Sequence, residues 1–368
     1  MEVSAIVTGH RSARIVLAAV FALSALGEGA RAQQAEAPSH AAPAGTDEVF
    51  HPVIDYVGRR NATGFIVMRR GTVLVERYWP APTDPTFAFF VHGRTRDGRL
   101  LEDVASQQKS FVAVLVAIAA DKGLIDVERP VSAYIGAGWS KALPAQEAKI
   151  RLIDLLTMSS GLDEKFGYAA PPGTQFHYNT PVYAITQRVL EAAAGQPLDA
   201  LTRDWLTVPA GMTDTGWRRR PAALGNVGNA VGLVTTARDI ARFGQMVLSG
   251  GVAPGGSRLV SAARLRAMFE PSIANPAYGQ LWWLNGAEFS VDADGRRSSG
   301  PLNPFAPSDL VAALGFLDRK LYVVPSLDLV VVRTGAAASD SDFDAALWRL
   351  LLPAVHSSSV GMQRGARP

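Results

Sequence analysis

Two apolar runs near the start of the chain, Phe65-Ile66-Val67-Met68 and Thr72-Val73-Leu74-Val75-Glu76-Arg77-Tyr78, flank Arg69-Arg70-Gly71. Their composition predicts two strands joined by a glycine-containing turn. A matching pair lies near the other end, where Leu321-Tyr322-Val323-Val324 and Leu329-Val330-Val331-Val332 flank the turn-like Pro325-Ser326-Leu327-Asp328. Between the two hairpins the periodicity is helical, over Ser110 to Asp121, Ile153 to Thr157, Val182 to Ala194, Thr236 to Leu248 and Ala262 to Phe269, with Gly- and Pro-containing loops between them. The simplest architecture joins the two hairpins in one antiparallel sheet, covers it with a helix over Phe343 to Leu352, and leaves roughly residues 125–270 as a mainly helical lobe. The expected fold class is therefore α/β, in the α+β sense, without internal repeats.

The N-terminal region has a different pattern. Arg11 and Arg14 precede an apolar run, Ile15 to Leu26, too short to span a bilayer, and Ala30-Arg31-Ala32 follows it. This basic, apolar, small-residue order predicts a signal peptide over 1–32, cleavage after Ala32, and export of the mature chain to the periplasm or beyond, without an integral membrane span. Residues 33–47 are rich in Ala, Pro and polar side chains and read as a flexible leader. The folded domain is expected over 48–352, with 353–368 a flexible tail. Of the 368 residues, 48% are hydrophobic and 19% charged, enough for one large core or two fused lobes. The formal charge of +3 comes with scattered arginines and no basic run, which argues against a nucleic-acid partner. The absence of cysteine removes a thiol nucleophile, a lipoprotein anchor and a disulfide framework.

Candidate chemistry centres on Ser106-Gln107-Gln108-Lys109, which opens the strongly apolar stretch Phe111 to Ala120. Residues i and i+3 share a helix face, so the Lys109 amine can reach the Ser106 hydroxyl. At a helix start, Ser106 also lies beside unpaired N–H groups that favour a developing oxyanion. A serine hydroxyl is a weak nucleophile until a neighbour takes its proton, and an amine does so only when neutral. Bringing a lysine down to about 7 costs roughly 4 to 5 kcal/mol, which an apolar site or a nearby cation supplies. The competing reading is plain: Ser106 caps the helix and Lys109 is solvated in its first turn. Spacing alone does not separate the two. There is no Gly-x-Ser-x-Gly elbow and no His-Glu-x-x-His zinc motif.

Context adds a resemblance. Val104 to Phe111 followed by Asp121-Lys122-Gly123-Leu124-Ile125-Asp126 resembles the nucleophile helix of the serine β-lactamase and penicillin-binding superfamily, class C branch. Leu155-Leu156-Thr157-Met158-Ser159-Ser160-Gly161-Leu162 and Pro172-Gly173-Thr174-Gln175-Phe176-His177-Tyr178-Asn179-Thr180 resemble two further elements of that branch. Pro209 to Met212, Thr235 to Phe243 and Val323 to Arg333 follow in the same order, so the resemblance covers about residues 48–352. It implies a β-lactamase/transpeptidase-like fold, with an antiparallel sheet flanked by helices beside a helical lobe, and a serine hydrolase that needs no organic cofactor and no metal. It implies Ser106 as the acylated residue, with Lys109 and Tyr178 managing protons. Two positions depart from the pattern. Thr180 stands where an Asn is usual, and Ala313-Leu314-Gly315 replaces a motif that usually carries a cation for a substrate carboxylate. Hydrophobic-Gly versions resemble those of esterases and nylon-oligomer amide hydrolases, in which Gly315 would let substrate lie along the strand and the Phe316 N–H, with that of Ser106, would form the oxyanion hole. A small-molecule ester or amide is thus the expected substrate. A non-hydrolytic or slowly acylated sensor, and a true β-lactamase or D-amino-acid peptidase, are the alternatives. His177 reads as structural. Trp282-Trp283 could line an acyl pocket, but adjacent aromatics read first as one core and one surface residue, and neither is placed in the site.

Overall fold

The computed structural model describes residues 46–224 and 229–364. The expected signal peptide and nearly all of the leader lie outside the described residues. The leader's last two residues do not: a helix runs over Thr46–Gly58.

Both terminal hairpins form as expected. Strands β1 (Ala62–Arg69) and β2 (Thr72–Tyr78) pair antiparallel around Arg70-Gly71. Strands β3 (Val91–Arg94), β4 (Leu100–Asp103), β5 (Gly216–Arg219) and β6 (Val231–Thr235) follow, then β7 (Trp283–Leu284), β8 (Phe289–Val291), β9 (Arg297–Ser299), β10 (Val311–Gly315), β11 (Arg319–Val324) and β12 (Leu329–Gly335). The main sheet has the order β2-β1-β12-β11-β10-β7, all antiparallel, so β1 and β12 bring the two chain ends together at its centre. Every residue of β11 and β12 is buried. That explains why their apolar runs are continuous rather than alternating: both faces of the sheet are covered.

Adjacent strand residues point to opposite faces, and the two faces carry different helices. Leu321 and Val330 meet the helix Ala237–Leu248, where Gly244 permits close approach because a Cβ there would lie 2.7 Å from both side chains. Tyr322, one residue on, packs edge-on against Trp348 of the helix Phe343–Arg364. The helix Ala237–Leu248 therefore belongs to the sheet and not to the helical lobe in which the sequence pattern had placed it. A second correction concerns the same region. Strands β5 and β6 lie inside the expected helical lobe and join β3 and β4 in a four-stranded sheet, order β3-β4-β6-β5. Gly216-Trp217-Arg218-Arg219 carries no alternation, so this strand left no apolar signal. The C-terminal helix also runs on to Arg364, past the expected end at Leu352 and into the expected tail. Pro353 removes one helix hydrogen bond, yet Ala354 and Val355 are buried and Arg69 donates to the Val355 carbonyl at 2.6 Å. Among the described residues no helix is long and apolar enough to cross a membrane.

Candidate functional site

Strand β4 ends in Glu102-Asp103, and the chain turns through Val104 into a tight 3-10 turn, Ala105–Gln107, that runs directly into the helix Gln108–Asp121. Ala105 has a φ of 51°, a left-handed conformation that costs a non-glycine residue about 1 kcal/mol or more. Its N–H donates to Asp103 Oδ1 at 2.8 Å, which holds the turn. The helix that follows is buried on all sides from Gln108 to Ala120, with Phe111 stacked on Phe243.

At this junction Lys109 Nζ donates to Ser106 Oγ at 2.9 Å. No side chain caps the helix start, so the capping reading of Ser106 does not describe this structure. Nor is Lys109 solvated: it is 2% exposed. Its amine lies 4.8 Å from the Tyr178 ring centre and 4.9 Å from that of Tyr183. Among the described residues it has no carboxylate partner. Burial, with repulsion from Arg220 second, holds the amine far below the usual lysine range, at about 7. An amine near that value, in hydrogen-bond contact with a hydroxyl, can take its proton at neutral pH.

Tyr178 arrives from the loop preceding the helix Thr180–Ala194. The segment Leu155 to Leu162 clamps it from both sides: the His177 N–H donates to the Met158 carbonyl at 2.8 Å, and Asn179 Nδ2 to the Leu162 carbonyl at 2.9 Å. Desolvation pushes the Tyr178 phenol up to about 12, against the pull of its interaction with Ser106. Trp283 stacks on Tyr178 with ring centres 6.0 Å apart, and Tyr278 packs edge-on at 6.3 Å. The tryptophan pair is thus buried on both sides, Trp282 against Phe243 and Trp283 against Tyr178. The expected surface residue is instead a wall of the site. Trp282 directly precedes β7 and Trp283 opens it, and only their partners decide what each ring meets.

Thr180, half-buried, is the first residue of its helix. The amide next to it is already committed: Asn179 Oδ1 accepts from the Val182 N–H as the helix cap.

The strand β10 reaches the same place from the main sheet. β7 pairs only with Val311 and Ala312, and beyond them the strand runs alongside the Ser106 turn. Gln107 Nε2 donates to the Ala313 carbonyl at 3.2 Å and ties the Ser106 turn to this edge. A Cβ on Gly315 would lie 2.3 Å from the Val104 carbonyl oxygen. Glycine is therefore required for strand and turn to touch, whereas the resemblance implied only room for substrate along the strand. Phe316 is 56% exposed and opens the three-residue turn to β11. Its carbonyl accepts from Arg319, and the next two, of Leu317 and Asp318, accept from Arg333. Both arginines are fully buried, and Arg319 pairs with Glu102 at 3.3 Å. The turn that presents the Phe316 N–H is thus pinned from beneath. Gly315→Ala is expected to force the strand and the Ser106 turn apart by roughly a few tenths of an ångström to 1 Å and to cost about 1 to 3 kcal/mol of stability. Denaturant unfolding tests this; wild-type stability in that variant would mean the contact is dispensable.

Residues 53–349 match the family model named Beta-lactamase. The chain belongs to the Beta-lactamase family. Three solved structures share the fold of this family member. One from Bacteroides dorei DSM 17855, assigned as a beta-lactamase, is 18% identical with a TM-score of 0.63, covering 84% of this chain and 98% of that one. One from Bacillus anthracis, assigned as a 6-aminohexanoate-dimer hydrolase, is 17% identical with a TM-score of 0.62, covering 84% and 82%. A family VIII carboxylesterase is 15% identical with a TM-score of 0.62, covering 86% and 99%.

Within this family member, the structure brings together Ser106, Lys109 and Tyr178, and places Ala313, Gly315 and Phe316 along the adjoining strand end. Sequence reasoning missed Asp103, Arg220, Arg319, Arg333 and Trp283. The one signal for them was Glu102-Asp103 itself, two acids directly before a buried segment, where unpaired carboxylates are costly.

Proposed function

We propose that this chain is a serine hydrolase that cleaves an uncharged ester or small amide through an acyl-enzyme on Ser106. The observation that carries the reading is the 2.9 Å contact between Ser106 Oγ and an amine that burial keeps near 7. Lys109 takes the hydroxyl proton as Oγ attacks the carbonyl carbon. The N–H groups of Ser106 and Phe316 receive the oxyanion. The intermediate collapses, the C–O or C–N bond breaks, and the leaving group takes up a proton. Water then attacks the acyl-enzyme and restores the serine. Tyr178, held near 12, stays protonated at neutral pH, which supports it as the proton donor to the leaving group and Lys109 as the base.

The surroundings support an uncharged, partly apolar substrate. Ala313 offers no cation, Tyr178 and Trp283 form an aromatic wall, and Phe316 stands exposed with its ring 5.9 Å from that of Phe90. Proteins named as a carboxylesterase and a 6-aminohexanoate-dimer hydrolase share the fold, which agrees with this choice. The order of basic, apolar and small residues over 11–32 supports export of the mature chain.

The test is intact-mass spectrometry during incubation with p-nitrophenyl butyrate and, separately, with a penicillin. A butyryl adduct on the peptide holding Ser106 that forms and clears, with p-nitrophenol released over many turnovers, is the expected result. A lasting adduct with a single burst would favour a sensor, and rapid penicillin turnover with slow ester turnover would make the protein a β-lactamase.

A further inference from the structure

Beneath the Ser106 turn lies a buried ion pair outside the residues given chemical roles above. Arg220 Nε and Nη2 donate to the two oxygens of Asp103 at 2.7 and 3.0 Å, and both side chains are at least nine-tenths buried. A pair of this kind adds little net stability, because desolvating two charges offsets their attraction. Its placement is specific. Asp103 Oδ1 also accepts the N–H of strained Ala105. Arg220 further donates to the Asn229 carbonyl at 3.1 Å and to Gln108 Oε1 at 3.3 Å, and Gln108 Oε1 accepts from the Leu233 N–H on β6. Gly232 leaves the carboxylate its space, since a Cβ there would lie 1.9 Å from Asp103 Oδ2. The pair therefore bolts β4, β6 and the helix start together, holding Ala105 on one side of Ser106 and Gln108, the residue before Lys109, on the other.

We propose that Asp103 and Arg220 form an anchor that fixes the strained turn before Ser106 and presents a guanidinium charge to Lys109, making Arg220 a positioning residue for acylation. The proposal rests on the hydrolase reading for its effect on turnover. Tyr178 and Tyr183 face Lys109, from the loop before the helix Thr180–Ala194 and from the helix itself; Tyr278 packs on Tyr178 behind them, and Arg220, the residue after β5, reaches Gln108, the neighbour of Lys109. The tyrosines are held neutral at physiological pH by burial. Arg220 is thus the cation that acts on the amine, and it disfavours the protonated form, in the same direction as burial. Removing the charge lets Lys109 hold its proton to higher pH. Activity that needs the neutral amine is then lost earlier on the acid side.

The experiment compares kcat/KM against pH for p-nitrophenyl butyrate, together with the titration of the Lys109 Cε resonance in isotopically labelled full-length protein. For R220Q we expect the acid limb and the lysine titration to move up together by about one pH unit, so that the variant loses about tenfold more activity at pH 6 than at pH 9. R220K should restore both. D103N removes the acceptor of the Ala105 N–H and one partner of the pair, so kcat should fall about tenfold or more through the loosened turn; this variant carries the test where R220Q does not fold. An unmoved lysine titration in R220Q, or wild-type kcat in D103N, would overturn the proposal. A shifted titration without any esterase activity in the wild type would instead overturn the hydrolase reading and leave the anchor standing.

Discussion

Ser106→Ala is expected to lower kcat/KM for p-nitrophenyl butyrate by at least about 10⁴-fold, the scale seen when a covalent nucleophile is removed. The fold should survive. The Ala105 turn is held by Asp103, Gln107 and the packing of Gly315 against Val104, none of which uses the Ser106 hydroxyl. What the substitution takes away is the hydrogen bond from Lys109 and the one with Tyr178, worth about 1 kcal/mol each. Denaturant unfolding of the variant should therefore fall within about 2 kcal/mol of the wild type. Matched folding with undiminished turnover would take Ser106 out of the chemistry, whatever its setting.

Lys109→Met should separate activity from stability in the opposite sense to most core substitutions. Turnover is expected to drop about 10³-fold or more, because no other described group near Ser106 Oγ is a base at neutral pH. Stability at pH 7 should rise. In the unfolded chain the lysine holds its proton up to about pH 10.5, while in the folded protein it does so only below about 7. Between these values unfolding takes up a proton, so the wild type becomes more stable as pH rises through that window. At pH 7 and below it bears the full cost of the buried amine, roughly 3 to 5 kcal/mol. Methionine, of similar length and without a charge, removes that cost. Urea unfolding at pH 7 and pH 10 checks the sign: the variant should lead clearly at pH 7, and its advantage should shrink towards pH 10. A less stable variant at pH 7 would show that the amine is solvated or paired in the folded protein.

Both expectations begin from two residues three apart, and that spacing was readable without coordinates. So were the terminal hairpins, because strands covered on both faces are written as continuous apolar runs with a turn between them, and the helix after Ser106, because it is apolar on every side. Tyr178 was marked only by the resemblance of Pro172 to Thr180 to a family element. What the sequence did not carry is everything that depends on partners distant along the chain. Strand β5 has no apolar alternation and exists through its pairing with β6. The helix Ala237–Leu248 is amphipathic wherever it packs, and only tertiary contact assigns it to the main sheet. Trp283 reads the same as its neighbour until Tyr178 is found against it. Gly315 is a glycine because of a carbonyl more than two hundred positions earlier, and Asp103 is tolerated in the interior because Arg220, 117 positions later, arrives to meet it. Pattern and spacing determine which residue types can do chemistry and on what local element. The burial that holds the Lys109 amine far below the usual lysine range, and the charge beside it, are sums over the whole fold, and so only the tertiary structure decided them.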